Sequence, residues 1–171
     1  MNKIKEKSII VIGSVAADAA LQLLTDRNDE LAARYPGRYL EDARAVLKTG
    51  IVNEKRLRGI LGKDSDMLID CREKGIFGAL WKLGELQDLG LYIEQANIPV
   101  CQPAIEICDY FGINPYEIPS KGCFVLAVDE MGTFIRKMNE SGIEAAVIGF
   151  TTPEKARLIV GSTRRYLTRI E

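Results

Sequence analysis

Short runs of β-branched and other apolar residues alternate along this chain with segments in which apolar residues recur at helical spacing. This alternation restricts the fold to helices packed against a shared sheet. The predicted strands cover residues 8–12, 66–70, 91–94, 123–128, 145–150 and 156–160. The predicted helices start near residues 15, 40, 53, 76, 103 and 130. The predicted class is therefore α/β, or α+β with a mixed sheet, in one domain over residues 1–171.

Two side chains are predicted to cap the helices that follow them. Ser14 comes directly after the first strand and Asn53 directly before the third helix. Their side-chain oxygens are suited to accept a hydrogen bond from a backbone N–H in the first helical turn.

The chain contains no histidine among its 171 residues. This absence removes the usual general base near neutral pH, the Ser-His and Cys-His nucleophile pairs and the commonest metal ligand. The 23 basic and 24 acidic residues leave a net charge of −1, which gives no electrostatic reason to expect nucleic acid or an anionic membrane as partner. Any chemistry must therefore rest on carboxylates, Lys, Arg, Cys, Tyr or a bound ion.

The four cysteines are Cys71, Cys101, Cys108 and Cys123, and none forms a Cys-x-x-Cys pair. This spacing does not favour a zinc site. Cysteine behaves as a small hydrophobic residue that prefers burial. We therefore expect reduced thiols in a cytoplasmic protein.

The N-terminus has a superficial likeness to a signal peptide, with basic residues followed by an apolar run. Glu6 interrupts the basic segment, and only residues 9–12 are strongly apolar. No stretch of the chain approaches the roughly 20 apolar residues of a membrane span. A buried strand is therefore the preferred interpretation of this segment.

The stretch DCREKG, from Asp70 to Gly75, joins a predicted strand to a predicted helix. A helix N-terminus offers unpaired N–H groups and a partial positive charge, which suits a phosphate. Arg72 and Lys74 would add charge, and Asp70 could hold a metal ion bound to that phosphate. However, the stretch contains neither a Walker loop nor a Gly-x-Gly-x-x-Gly motif. It is either the rim of a phosphate pocket or an exposed turn with solvated charges.

Two other turns are weaker candidates for ligand contact. Gly13 and Ser14 lie at another strand-to-helix junction, where Ser14 either contacts a ligand or caps the helix. Lys121 lies in the turn PSKG before a predicted strand, as a ligand contact or as a surface lysine. Neither turn carries a nucleotide-binding motif.

Longer stretches of the chain resemble a known family: KGIFGALWKLGE, IEQANIPVCQPAIEICDYFGINPYEIPSKG and GIEAAVIGFTT. They resemble the C-terminal domain of the aminoimidazole ribonucleotide (AIR) synthase-related superfamily, which includes PurM, HypE and selenophosphate synthetase, and in particular the HypE-like hydrogenase maturation factors. The resemblance runs from Ser8 to about Leu167. It implies a fold like the PurM C-terminal domain, with a mixed sheet packed against helices.

The resemblance also implies that the family's chemistry needs a second domain. Family members have an N-terminal half that supplies most of the ATP site and its acidic metal ligands. This chain starts where the second half starts, so we expect the ATP-binding domain to be absent from it. In HypE-like proteins a C-terminal cysteine carries the group that is dehydrated, whereas this chain ends in TRIE. ATP and Mg²⁺ are therefore expected only together with a partner domain.

The family's glycine motif, Asp-x-Thr-x-Gly-Gly, falls on residues 70–75. Its first and last positions are kept, but an arginine replaces the threonine and a lysine replaces the first glycine. In the family motif, that glycine lets a ligand approach the backbone closely, because glycine has no Cβ. The glycines expected after the first strand fall on alanines at 16 and 19. The resemblance thus implies an altered ligand rim formed by Asp70, Arg72, Lys74, Gly75, Ser14 and Asp18.

Three functions remain open on these grounds. The favoured one is a stand-alone domain that is not catalytic alone and has a binding or accessory role, for example in hydrogenase or other metalloenzyme maturation. The alternative is one half of a split ATP-dependent enzyme that transfers phosphate to an amide-type substrate and is completed by a separate ATP-binding chain. The third is a relic without a specific ligand. A homodimer or such a partner chain is expected, because the apolar area normally covered by the other domain needs a cover.

Overall fold

A computed structural model describes residues 5–171, which form one seven-stranded sheet with helices on both faces. The strands are β1 (Ser8–Ile12), β2 (Ile69–Asp70), β3 (Gly90–Glu94), β4 (Phe124–Val128), β5 (Ala145–Thr152), β6 (Arg157–Val160) and β7 (Arg164–Tyr166). The helices are α1 (Ala17–Asp26), α2 (Asn28–Ala32), α3 (Gly37–Thr49), α4 (Glu54–Leu61), α5 (Gly75–Gln87), α6 (Gln102–Tyr110) and α7 (Met131–Glu140). Short 3₁₀ helices cover Gly62–Met67 and Gln95–Asn97. The predicted span of 1–171 also contains residues 1–4, which lie outside the described residues.

The strand order across the sheet is β2-β4-β1-β5-β3-β6-β7. β3 and β6 pair in parallel, and the other neighbouring strands of the described chain pair antiparallel. The sheet is therefore mixed, and the predicted α/β class is confirmed. None of the helices in residues 5–171 has the length and apolar character needed to cross a membrane.

Alternate strand residues supply the two faces of the sheet, as the twofold strand period requires. On one face, Ile9 and Val11 of β1 pack with Ile76 and Leu80 of α5. On the other, Ile10 and Ile12 pack against apolar residues of α4 and α7. A third cluster joins α1, α3 and α6 beside the sheet. The apolar helical spacing read from the sequence thus corresponds to buried faces.

The second face is covered only at one end of the sheet. α4 and α7 pack over β4 and β1, together with Ala145 and Val147 at the start of β5. Farther along, the same face carries Tyr92 and Phe150, whose rings stack with centroids 5.0 Å apart, and Leu158. These three side chains belong to none of the apolar clusters formed by residues 5–171. We call this area, from Phe150 on β5 across β3 and β6 to β7, the open face.

Two elements differ from the sequence predictions. The strand predicted at 66–70 is only two residues long because its first part is the 3₁₀ helix Gly62–Met67, which ends with the Leu68 N–H donating to the Ser65 carbonyl at 3.2 Å. β7 lies beyond residue 160, where the last strand predicted from the sequence ends. It forms because Gly161 N–H donates to the Thr163 carbonyl at 3.0 Å and reverses the chain onto β6.

The predicted cap at Ser14 is wrong, whereas the cap at Asn53 is confirmed. Asn53 accepts a hydrogen bond from the Arg56 N–H at 2.9 Å. α1 instead starts after Ala16, whose φ of 61° is left-handed. Ser14 therefore lies two residues before the N-cap position of α1. Its Oγ accepts a bond from the Cys101 N–H at 3.2 Å.

Candidate functional site

The turn after β2 forms a small charged pocket at the start of α5. Asp70, Arg72 and Lys74 line it, so the structure brings together three of the residues predicted from the sequence. The cavity measures about 200 Å³. Its remaining lining residues are Ile69, Glu73, Gly78, Ala79 and Lys82. We call this pocket the Asp70 rim.

The Asp70 carboxylate is already bound by the protein. Its Oδ1 accepts the Arg72 backbone N–H at 2.8 Å, and its Oδ2 accepts the Arg72 Nε–H, also at 2.8 Å. The same guanidinium donates through Nη2 to Glu54 at 2.8 Å. The hydrogen bond to Asp70 is the main cause of the raised pKa of Arg72. Both charges that were expected to meet a metal–phosphate ligand therefore neutralise each other.

Lys74 and Gly75, which were also predicted as ligand contacts in this turn, are likewise engaged by the chain itself. Lys74 Nζ donates to the Ile170 carbonyl at 3.0 Å. Gly75 has a φ of 68°, and a Cβ at this position would lie 2.4 Å from the Ile118 carbonyl oxygen. A glycine is therefore required here because the loop before β4 approaches closely, not because a ligand needs access.

The N–H groups at the start of α5 are also used within the protein. Gly75 N–H donates to the Cys71 carbonyl at 3.1 Å, and Phe77 N–H donates to the Tyr116 carbonyl at 3.0 Å. A helix N-terminus binds an anion through such groups only when they are free. Two of the donors that would form a phosphate cradle at α5 are thus satisfied by carbonyls.

Ser14 and Asp18 lie apart from the Asp70 rim. Ser14 is buried and lines a separate cavity of about 320 Å³, with Gly50, Pro99 and Glu144 among its neighbours. Asp18 is half-buried in the first turn of α1 and lines neither cavity. The six residues predicted to share one rim are therefore not gathered in one pocket.

A buried serine that the sequence analysis missed connects the two turns. Ser120 is fully buried, and its Oγ accepts the Ala16 N–H at 2.5 Å. Its own N–H donates to the Cys71 carbonyl at 2.9 Å. In this turn the sequence predicted Lys121 as a candidate ligand contact. Lys121 lines a cavity of about 270 Å³ with Glu54 and Arg72. No sequence periodicity marks a single serine in a loop as buried.

Three of the cysteines, Cys71, Cys108 and Cys123, are buried in the apolar cluster between α5 and the sheet. Cys71 N–H donates to the Cys123 carbonyl at 3.1 Å, so the two cysteines are neighbours beyond the β2–β4 pair. Burial, and then the hydrogen bond to the Cys123 thiol, raise the pKa of Cys71. Burial also raises the pKa of Cys108, to about 11. Within residues 5–171, no three His, Cys, Asp or Glu side chains cluster as metal ligands would.

Comparisons with known proteins agree with this architecture. No protein-family model matches the chain. A curated protein of Methanocaldococcus jannaschii that is named for hydrogenase expression and formation is 30% identical over 95 residues, which is 53% of this chain and 28% of that protein. The relationship in sequence to hydrogenase maturation proteins thus covers part of each chain.

Solved structures match over nearly the whole length. HypE in complex with ATP has a TM-score of 0.72 at 16% identity, covering 98% of this chain and 52% of that one. A chain of the HypE–HypF complex has a TM-score of 0.68 at 16% identity, covering 98% of this chain and 54% of that one. Thiamine-monophosphate kinase from Stenotrophomonas maltophilia has a TM-score of 0.57 at 13% identity, covering 91% and 50%.

This chain therefore spans about half the length of the solved proteins that it resembles. Identities of this size establish the fold and not the activity. The fold predicted from the sequence resemblance is confirmed: this chain has the α/β architecture that HypE hydrogenase maturation proteins and thiamine-monophosphate kinase share.

Proposed function

We propose that this chain is a HypE-like C-terminal domain that has a binding or accessory role and catalyses no reaction alone. The observation that carries this proposal is the internal pairing at the Asp70 rim. Arg72 occupies both Asp70 carboxylate oxygens at 2.8 Å. Phosphoryl transfer depends on positioned metal ions and basic groups that neutralise developing charge. A rim whose ionic groups already bind each other supplies little of either.

The proposed pathway is hydrogenase or other metalloenzyme maturation. Its support is the partial similarity to a protein named for hydrogenase expression and formation. A solved HypE structure is a complex with HypF. We propose by analogy that this chain also acts through contact with a protein partner, in the cytoplasm and without a cofactor of its own.

Calorimetric titration of ATP and Mg²⁺ into the purified chain tests this proposal. We expect no binding heat at ligand concentrations up to about 1 mM, which corresponds to a binding free energy weaker than about −4 kcal/mol. A HypE protein of the kind solved with ATP serves as the positive control. Micromolar affinity for the chain alone, or ATP hydrolysis by it, would contradict the proposal.

A second candidate is one half of a split ATP-dependent enzyme. It is favoured by the coverage of only about half of each solved relative and by the sheet face that residues 5–171 leave open. In this case Asp70 would bind metal or substrate, Gly75 would admit backbone contact, and Arg72 and Lys74 would meet phosphate. The pair of Asp70 and Arg72 would then have to open when the partner binds.

Mixing experiments separate the two candidates. The chain is combined with a separately produced ATP-binding domain, such as the ATP-binding portion of a HypE protein, and ATP turnover is followed. The split-enzyme candidate expects turnover only in the mixture, and its loss on Asp70→Asn. The favoured proposal expects no turnover that depends on this chain. Lys63→Ala, on the exposed 3₁₀ helix, is a matched control for the loss of a surface charge.

A further inference from the structure

A row of large side chains crosses the open face with near-mirror symmetry about β6. Tyr92 of β3 is in register with Leu158 of β6, and Leu158 is in register with Tyr166 of β7. Residues in register on neighbouring strands project to the same face. The row therefore reads tyrosine, leucine, tyrosine, and Phe150 extends it onto β5. Tyr166 is 72% exposed.

A second row runs parallel to the first, two residues farther along the strands. Glu94 of β3 is in register with Val160 of β6, which is in register with Arg164 of β7. Arg164 makes no ion pair with a carboxylate in residues 5–171. Neighbouring strands lie about 4.8 Å apart, so the backbones of these two oppositely charged residues are roughly 10 Å apart, one on each side of β6.

We propose that the open face is the contact surface of a symmetric homodimer whose twofold axis runs parallel to β6, between two facing sheets. A rotation about this axis keeps each row at its level along the strands and exchanges β3 with β7. Tyr92 then faces Tyr166 of the second copy, Leu158 faces its own equivalent, and Glu94 faces Arg164. An isologous interface requires such self-complementarity.

The charge pattern distinguishes a second copy from an unrelated partner. A partner chosen only by apolar contact would need no acidic group on one side of β6 and a basic group on the other. In the twofold arrangement the single pair of Glu94 and Arg164 produces two ion pairs across the interface. Sheets that pack face to face lie about 10 Å apart, a spacing that long tyrosine and arginine side chains fill.

The size of the open face sets the expected affinity. A standard interface buries about 800 Å² per partner. The open face is formed by parts of only four strands, so we place its contact area below this size and expect a dissociation constant on the order of 10 μM rather than nanomolar. This inference goes beyond the proposed function. Its test is also independent, because ATP calorimetry and self-association are separate measurements and one can fail while the other succeeds.

The decisive test exchanges the charges of Glu94 and Arg164 and measures the dissociation constant of the dimer by sedimentation equilibrium. Glu94→Arg alone and Arg164→Glu alone each place like charges opposite each other twice, so each should raise the dissociation constant at least tenfold. An equimolar mixture of the two variants restores both ion pairs and should form a heterodimer. The double variant Glu94→Arg with Arg164→Glu should also regain self-association. A contact between Glu94 of one copy and Arg164 of the other predicts all four results, and a mass that stops at the dimer requires the twofold arrangement.

An apolar variant tests the centre of the row. Leu158→Glu buries a charge next to its own equivalent and should abolish the dimer. Leu86→Glu on α5 is the matched control, because Leu86 is 65% exposed and lies away from the open face. Circular dichroism of every variant confirms that the fold is retained. The inference is overturned if the wild-type chain is monomeric at about 200 μM, twentyfold above the expected constant, or if its dimer is insensitive to the charge exchange.

Discussion

The Asp70 rim and the open face show opposite relations between sequence and surface. The rim has residues that the sequence predicts as ligand contacts, yet its carboxylate, lysine and helix N–H groups are bonded to the protein itself. The open face consists of strands that look like ordinary core strands, yet its aromatic side chains pack against none of the apolar clusters in residues 5–171. A sequence motif shows which charged and polar groups are present. Only the fold shows which charged, polar or apolar groups remain without a partner inside the protein.

The strongest test of this contrast compares two phenylalanines on the same face of the sheet. Phe124 is fully buried beneath α4 and α7, whereas Phe150 lies on the open face and is half-buried. Phe124→Ala should reduce the free energy of unfolding by about 3–5 kcal/mol, the usual cost of a large core cavity. Phe150→Ala should reduce it by about 1 kcal/mol, because part of the ring is already in water. Urea denaturation at low protein concentration measures both, and equal losses would mean that the open face is covered.

The next effect concerns Gly75 at the rim. Gly75→Ala should reduce the free energy of unfolding by about 3 kcal/mol, since it combines a left-handed backbone with a clash against the Ile118 carbonyl. Gly37→Ala is the matched control, because nothing lies within 4 Å of a Cβ there. That variant should be neutral or stabilising by up to about 1 kcal/mol. A tolerated Gly75→Ala would indicate that the loop before β4 can withdraw and leave space for a ligand.

The buried thiols of Cys71 and Cys108 predict a decrease in stability at alkaline pH. The folded-state pKa of Cys71 is raised, and that of Cys108 is about 11. In the unfolded chain a cysteine ionises near pH 8.5. Stability is therefore complete below that pH and is lost as the pH rises toward 11, because only the unfolded chain releases these protons.

Chemical denaturation at pH 7 and at pH 10 measures this loss. The double variant Cys71→Ala with Cys108→Ala should show a weaker dependence on pH than the wild-type chain. The same variant at pH 7 separates the loss of thiol packing from the loss of ionisation. An unchanged pH dependence would show that other groups, such as lysines and tyrosines, account for the alkaline effect.

The smallest effect is expected for the ion pair at the rim. Arg72 and Asp70 have exposed side-chain fractions of 48% and 24%, so solvent screens their attraction. A double-mutant cycle with Asp70→Asn and Arg72→Gln should give a coupling energy below about 1 kcal/mol. A coupling of several kcal/mol would make the rim a rigid structural element rather than a locally neutralised one.

Local features of the fold were predictable from the sequence. The cap at Asn53 depends on a backbone N–H only three residues farther along the chain. The strands from 8 to 12 and from 145 onward also follow from an apolar run alone. The similarity in several long stretches predicted the HypE-like fold, which the structural comparisons confirm.

The features that decide function depend on distant parts of the chain. Arg72 and Asp70 are two residues apart, but Glu54, which completes their network, is 18 residues from Arg72. The close approach at Gly75 involves a loop more than 40 residues away. The open face requires the strand order, because Tyr92, Leu158 and Tyr166 become neighbours only when β6 lies between β3 and β7.

The shortness of the two outermost strands limits how this protein can aggregate. β2 has two residues and β7 has three, and two of the three are arginines. An exposed strand edge recruits further strands from other molecules, and brief or positively charged edges oppose such growth. Continuous lateral addition of subunits, the route to fibrils, is therefore disfavoured at both margins. Concentrated solutions of the protein should remain clear.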